Sequence, residues 1–85
     1  MAVVVLPSLL AAAAAGRRRY ETDAATIGEA LRVLPVRDLL FDEHGELRRL
    51  VNVYVDGVDA RTTGGLDTPL GNSQTVRVVA AIAGG

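Results

Sequence analysis

The residues with the most chemical meaning in this 85-residue sequence are its last ones, where the run VVAAIA is followed by Gly84-Gly85. Glycine lacks a Cβ, so a diglycine threads a narrow channel and lets its backbone come close to a bound nucleotide. Stretched out, Ile82 to Gly85 reach about 13 Å past the preceding strand. A terminal carboxyl on Gly85 has an ordinary pKa of about 3.5, so it is an ionised oxygen nucleophile at neutral pH. It is a poor electrophile, however, and acyl chemistry there needs prior activation, for example as an acyl-adenylate formed with ATP. The plain alternative is a small frayed tail.

The other clusters of reactive side chains are weaker. Asp42-Glu43-His44-Gly45-Glu46 crowds four metal-capable side chains together, but the spacing matches neither a calcium loop nor a zinc site, and a solvated turn is the expectation. His44 has no serine or carboxylate partner that spacing identifies, so it reads as a surface imidazole. Arg17-Arg18-Arg19 beside Tyr20 lacks the aromatic interleaving of a nucleic-acid face and reads as a solvated strand end. Gly64-Gly65 lacks the lysine and hydroxyl residue of a phosphate loop and reads as a turn needing positive φ.

Composition narrows the function classes further. The formal net charge of −1 creates no field for nucleic acid or an anionic membrane, so neither is an expected partner. There is no cysteine, which excludes disulfides, thiolate metal sites and a cysteine nucleophile. All nine basic side chains are arginine, so Schiff-base chemistry on a lysine is excluded too. An apolar fraction of 49% supplies a core, but one built mainly from Val, Leu, Ile and Ala. A chain this short has little room for a deep catalytic pocket, so a partner is expected to supply the chemistry and no metal or permanently bound cofactor is expected. The opening MAVVVLPSLLAAAAAG has the apolar length of a signal peptide. Its arginines follow the apolar run instead of preceding it, and it is too short to span a bilayer. It reads as a first strand and a connection, in a cytoplasmic protein.

The elements that would carry the terminal arm follow from periodicity. Ala2–Leu6 is a β-branched run closed by Pro7-Ser8. Leu9–Ala15 reads as a connection with about one helical turn, ended by Gly16, and Arg17–Thr22 as a polar return strand. Thr26-Ile27-Gly28-Glu29 is a capping box, and Ile27, Ala30, Leu31 and Leu34 make one apolar helix face that Pro35 ends. Val36, Leu39 and Leu40 repeat that spacing in a second short helix. Val51, Val53 and Val55 alternate with Asn52 and Tyr54 in a strand over Leu50–Val55. Asp56-Gly57 suits a two-residue hairpin turn leading to a return strand over Val58–Arg61. Thr62–Ser73 reads as loop, and Thr75–Ala80 as the last strand, with Val76 and Val78 inward and Arg77 and Val79 outward. The order predicts an α+β fold: a mixed sheet of four to five strands packed on one main helix, with the first and last strands side by side in the centre. The chain reads as a single domain over 1–85, with 81–85 as a flexible C-terminal tail. By alternation Tyr54, Arg77 and Val79 share the open face of the sheet, a candidate partner-binding patch leading toward the tail.

Over essentially its whole length the sequence resembles the ubiquitin-like sulfur-carrier proteins of the ThiS and MoaD type, and within them the CysO-like carriers of actinobacteria. The resemblance lies in TIGEALRVL, GELRRLVNVYVDGVDARTTGGLDTPL and the terminal VRVVAAIAGG. It implies a β-grasp fold and a carrier protein, not an enzyme. It also implies that an E1-like, ATP-dependent activating enzyme adenylates the Gly85 carboxylate and that sulfide or a persulfide displaces AMP to leave a thiocarboxylate. A sulfur-accepting biosynthetic enzyme, for cysteine or a specialised metabolite such as a thiosugar, would then take the sulfur. In this picture Gly85 is the reactive residue, Gly84 gives slimness, and Ile82 and Ala83 make positioning contacts. The alternatives within the resemblance are the small subunit of molybdopterin synthase and a protein modifier joined to target lysines. Two departures stand out: Gly71-Asn72-Ser73 replaces a common Asp-Gly-Asp turn, and Ala80 stands where a proline usually precedes the tail.

Overall fold

Alternating valines want one buried face, and the computed structural model, which describes residues 1–80, gives them one. The strands are β1 (Ala2–Val5), β2 (Arg19–Thr22), β3 (Val51–Val55), β4 (Val58–Asp59) and β5 (Thr75–Ala80). They form a five-stranded sheet in the order β2-β1-β5-β3-β4. β5 lies in the centre beside β1, as expected from the sequence, and runs parallel to β1 and antiparallel to β3. The fold is α+β and β-grasp in its topology.

Three short helices accompany the sheet: α1 (Ser8–Ala13), α2 (Ile27–Arg32) and α3 (Arg37–Leu40). None is long enough to be stable alone, so each depends on the face it buries. For α2 that face is Ile27, Ala30 and Leu31, all fully buried, with Leu34 just past the helix end also buried. The core closes with Val4, Leu6, Leu10, Val36, Leu40, Val51, Val53, Val55, Val76 and Val78.

The capping box forms in a slightly different register from the expected one. The Thr26 hydroxyl accepts from the Glu29 N–H at 3.2 Å, while the Glu29 carboxylate accepts from the Ala25 N–H at 2.9 Å, one residue before the cap. This end of α2 is also tied to the late loop: the Ile27 N–H donates to the Thr68 carbonyl at 3.1 Å and the Leu70 N–H to the Ala25 carbonyl at 2.8 Å. Gly28 permits a close approach on the same side. A Cβ there would stand 3.1 Å from the Leu66 carbonyl oxygen and 3.3 Å from the Leu66 Cβ.

Two expectations are corrected, at the return strand and at Leu39. The return strand stops at Asp59 instead of continuing to Arg61, and Ala60–Thr62 forms a 3-10 turn. The cause is local: the Asp59 carboxylate accepts from the Arg61 N–H at 2.9 Å, pulling the backbone out of the ladder. The loop over Thr62–Ser73 carries the expected turn, a 3-10 turn at Gly65–Asp67 entered through positive φ at both Gly64 and Gly65. Leu39 does not join the core with Val36 and Leu40 but is 48% exposed.

Candidate functional site

The proposed chemistry sits at Gly85, and the part of the structure that bears on it is the root from which the terminal residues leave. Gly84, Gly85, Ile82 and Ala83 lie outside the described residues, as does the expected tail over 81–85. The root is β5, whose inward side chains Val76 and Val78 are fully buried between the neighbouring strands and the helices. Ala80 is the last described residue and pairs with Val51 of β3. With alanine and not proline at position 80, the strand keeps ordinary pairing through its last described residue.

The other end of β5 is fixed by polar groups. Asp56 opens the β3–β4 turn with φ of 49°, followed by Gly57 at 87°, the left-handed pair a two-residue hairpin turn requires. The Thr75 N–H donates to the Asp56 carboxylate at 3.0 Å, and the Asp56 N–H donates to the Thr75 carbonyl at 3.0 Å. The Gly71-Asn72-Ser73 turn is held without acidic residues. The Gly71 N–H donates to the Gln74 side-chain oxygen at 2.6 Å, Ser73 adopts φ of 68°, and the Ser73 N–H donates to the Met1 carbonyl at 3.1 Å.

Three sequence-predicted residues come together. Tyr54 of β3 is the direct cross-strand partner of Arg77 of β5, and Val79 follows two residues later on the same face. All three line or border one shallow cleft with Asp56, Gly57 and Thr75. Val79 is 40% exposed, Arg77 is exposed and Tyr54 is half-buried. Asn52 stands opposite Val79, and its amide oxygen is buried without a hydrogen-bond partner among the described residues.

A second feature at the root was not legible in the sequence. Leu39 of α3 and Leu50, both about half exposed, lie with Arg48 and Arg49 along a groove that reaches Ala80. Leu50 immediately precedes β3, so the groove exists only because α3 packs beside the start of that strand.

The remaining polar clusters have local uses. Asp42 accepts from the His44 N–H at 2.8 Å and the Glu46 N–H at 3.1 Å, which holds its carboxyl below the usual carboxylate range. Among the described residues no three or more of His, Asp and Glu gather as a metal site. His44 is exposed and 3.7 Å from the Glu43 carboxylate. Arg17 lies over the Tyr20 ring at 4.7 Å and Arg18 donates to the Leu6 carbonyl at 3.3 Å, so the arginine run is partly engaged with its own strand end. Asp59 is held low by the Arg61 guanidinium at 2.9 Å, which is itself pushed up. Among the described residues no helix is long and apolar enough to cross a membrane.

Known proteins share this fold. The chain is 30% identical over 89 residues to the sulfur carrier protein CysO of Mycobacterium tuberculosis, covering 96% of both chains. Its structure is similar to the crystal structure of CysO from that organism, with a TM-score of 0.83 at 26% identity, covering 96% of this chain and 100% of the other. It is also similar to a chain in the Amycolatopsis orientalis BexX/CysO complex, with a TM-score of 0.84 at 27% identity over the full length of both. SAMP1 from Haloferax volcanii matches at a TM-score of 0.77 and 25% identity, covering 99% of this chain and 98% of that one. The ThiS family model matches residues 8–85, the diglycine included, and the chain belongs to the ThiS family.

Proposed function

We propose that this chain is a sulfur carrier whose reactive group is the Gly85 carboxylate. The observation that carries the reading is the family match running through Gly84-Gly85, together with the likeness to CysO, a sulfur carrier in its own organism. In the first step the carboxylate attacks the α-phosphorus of ATP on an E1-like activating enzyme; an acyl–O–P bond forms and pyrophosphate leaves. Hydrosulfide then attacks the acyl carbon and AMP departs with the electron pair of the C–O bond. Where an enzyme persulfide attacks instead, a second thiol cleaves the resulting acyl disulfide, leaving as a disulfide with the first and releasing the thiocarboxylate. The product is a Gly85 thiocarboxylate, and a biosynthetic enzyme takes its sulfur, for cysteine or a specialised thio-metabolite. ATP belongs to the activating enzyme and no permanently bound cofactor is invoked.

The chain's own contribution is positional. Gly84 and Gly85 offer no side chain to a channel wall. Ile82 and Ala83 supply positioning contacts, and β5 gives the arm a fixed origin. Tyr54, Arg77 and Val79 form the sheet-side patch for the partner, with an aromatic ring and a guanidinium as anchors. The absence of cysteine fits a cargo carried at the terminal carboxyl alone. The BexX/CysO complex supports the idea that a carrier of this kind docks on a partner protein.

Intact mass spectrometry after incubation with ATP, sulfide and the activating enzyme tests the reading. The chain is expected to gain the mass difference of one oxygen exchanged for one sulfur, localised to Gly85. Deleting Gly85 is expected to abolish the gain with an unchanged melting temperature. Loading of the truncated chain, or lysine-linked adducts in place of thiocarboxylate, would overturn it, the latter in favour of a protein modifier.

A further inference from the structure

The groove beside Ala80 has no role in the sheet-side patch. Its exposed apolar members, Leu39 and Leu50, are 48% and 44% exposed and stand on two separate segments brought together beside Ala80. Its charged members are Arg48, Arg49 and Asp42. The Asp42 carboxylate is taken up by its own turn, and the Arg48 guanidinium donates to the Asp38 carbonyl at 3.2 Å. Arg49 is exposed and makes no hydrogen bond or ion pair among the described residues. The result is an apolar floor with a cationic side in a chain of formal net charge −1.

We infer that this groove is a docking site for the enzyme that activates Gly85, whose complementary surface carries apolar side chains flanked by carboxylates. The inference rests on the reading of Gly85 as the adenylated group. Distance connects the two. Five residues, 81 to 85, span at most about 18 Å, so an active site holding the Gly85 carboxylate brings enzyme surface within that distance of Ala80. Ala80 itself lines the groove. Val79 of the sheet-side patch and Ala80 of the groove are consecutive residues of β5, so a partner that receives the arm has both surfaces within reach at its root. Charge then selects the partner: an acidic lip gains from Arg49, while a basic one is repelled.

The test uses the full chain and the activating enzyme, with two readouts. Binding of the labelled chain without ATP is followed by fluorescence anisotropy, and AMP formation is followed against carrier concentration. Arg49→Glu and Leu50→Ser are each expected to weaken binding and raise KM about tenfold with kcat unchanged, and Arg49→Lys to stay near wild type. Val33→Ser, at an exposed apolar position of the C-cap of α2, serves as the control. Equal binding of wild type, Arg49→Glu and Leu50→Ser would overturn the groove, as would failure of the wild-type chain to bind the enzyme. A wild-type dimer in sedimentation that Leu50→Ser dissolves would also overturn it, since the groove would then face a second copy. Tight, Arg49-dependent binding with no AMP formed would uphold the groove and overturn the carboxylate chemistry.

Discussion

Replacing Gly28 by alanine sets two effects of known size against each other. Alanine is favoured over glycine in a helix interior by about 1 kcal/mol. Gly28 is the second residue of the six-residue α2, where backbone restriction is less complete, so the gain there is smaller. Against it stands contact. The new Cβ would meet the Leu66 carbonyl oxygen at 3.1 Å, the Leu66 Cβ at 3.3 Å and an Arg32 guanidinium nitrogen at 3.2 Å. The guanidinium is the end of a flexible chain and moves aside at little cost. The Leu66 carbonyl is backbone inside the Gly65–Asp67 turn, which is bound to α2 through the Ile27–Thr68 hydrogen bond. Overpacking of this kind costs about 1–3 kcal/mol. The net expectation is destabilisation by about 1 kcal/mol, which in a domain of this size lowers Tm by about 4–8 °C. Thermal unfolding followed by far-UV circular dichroism reads this directly. A Tm equal to or above wild type would show that the turn yields freely and that the close packing of α2 on Leu66 is not a constraint.

Other substitutions probe the remaining ties. Thr26→Ala removes the hydroxyl that accepts the Glu29 N–H and should cost about 1 kcal/mol in urea unfolding, with the m-value unchanged. Asp56→Ala loses both an acceptor for the Thr75 N–H and a residue tolerant of positive φ, so a loss of about 1–2 kcal/mol is expected. Asp56→Asn keeps both features and should stay close to wild type; equal losses in the two variants would refute this account of the turn. Asn52→Val replaces a buried, unpaired amide oxygen with a β-branched side chain and should raise Tm. Asp42 and Asp59 both have lowered pKa values in the fold, so their stabilising contributions are fully present above about pH 4, the ordinary carboxylate range, and are lost as pH falls through the lower folded values. Tm measured between pH 5 and pH 2 should therefore fall less steeply in the Asp42→Asn, Asp59→Asn double variant than in wild type.

Much of this architecture is written in short-range patterns. The alternation of Val51, Val53 and Val55 with Asn52 and Tyr54 fixes which face of β3 is buried, and the same logic on β5 places Arg77 and Val79 on the face of Tyr54; the register that sets Arg77 directly across from Tyr54 comes from the sheet pairing. The capping box located α2 because both of its partners lie within four residues of each other. What escaped the sequence depends on competition or on packing between distant segments. Asp59 stops β4 because its carboxylate captures the Arg61 N–H, an alternative that strand propensity does not weigh. Glu29 reaches Ala25 instead of Thr26, a difference of one residue that only the local geometry decides. Leu39 fits an apolar helical spacing with Val36 and Leu40, yet α3 is a four-residue turn and buries little more than one side. For the same reason the groove at Ala80 was invisible: it joins residues from α3, the segment before β3 and the end of β5.

The parallel pairing of β1 with β5 has a mechanical consequence. The Met1 end of β1 and the Ala80 end of β5 point in opposite directions along two neighbouring strands. A pull applied between those ends would load the β1–β5 ladder in shear, with its hydrogen bonds sharing the force together instead of opening one after another like a zipper. β5 is braced on its other side by the five-residue pairing with β3. A partner that tugs along β5 beyond Ala80 while seating or releasing the chain would therefore load these two ladders in shear and not pair by pair.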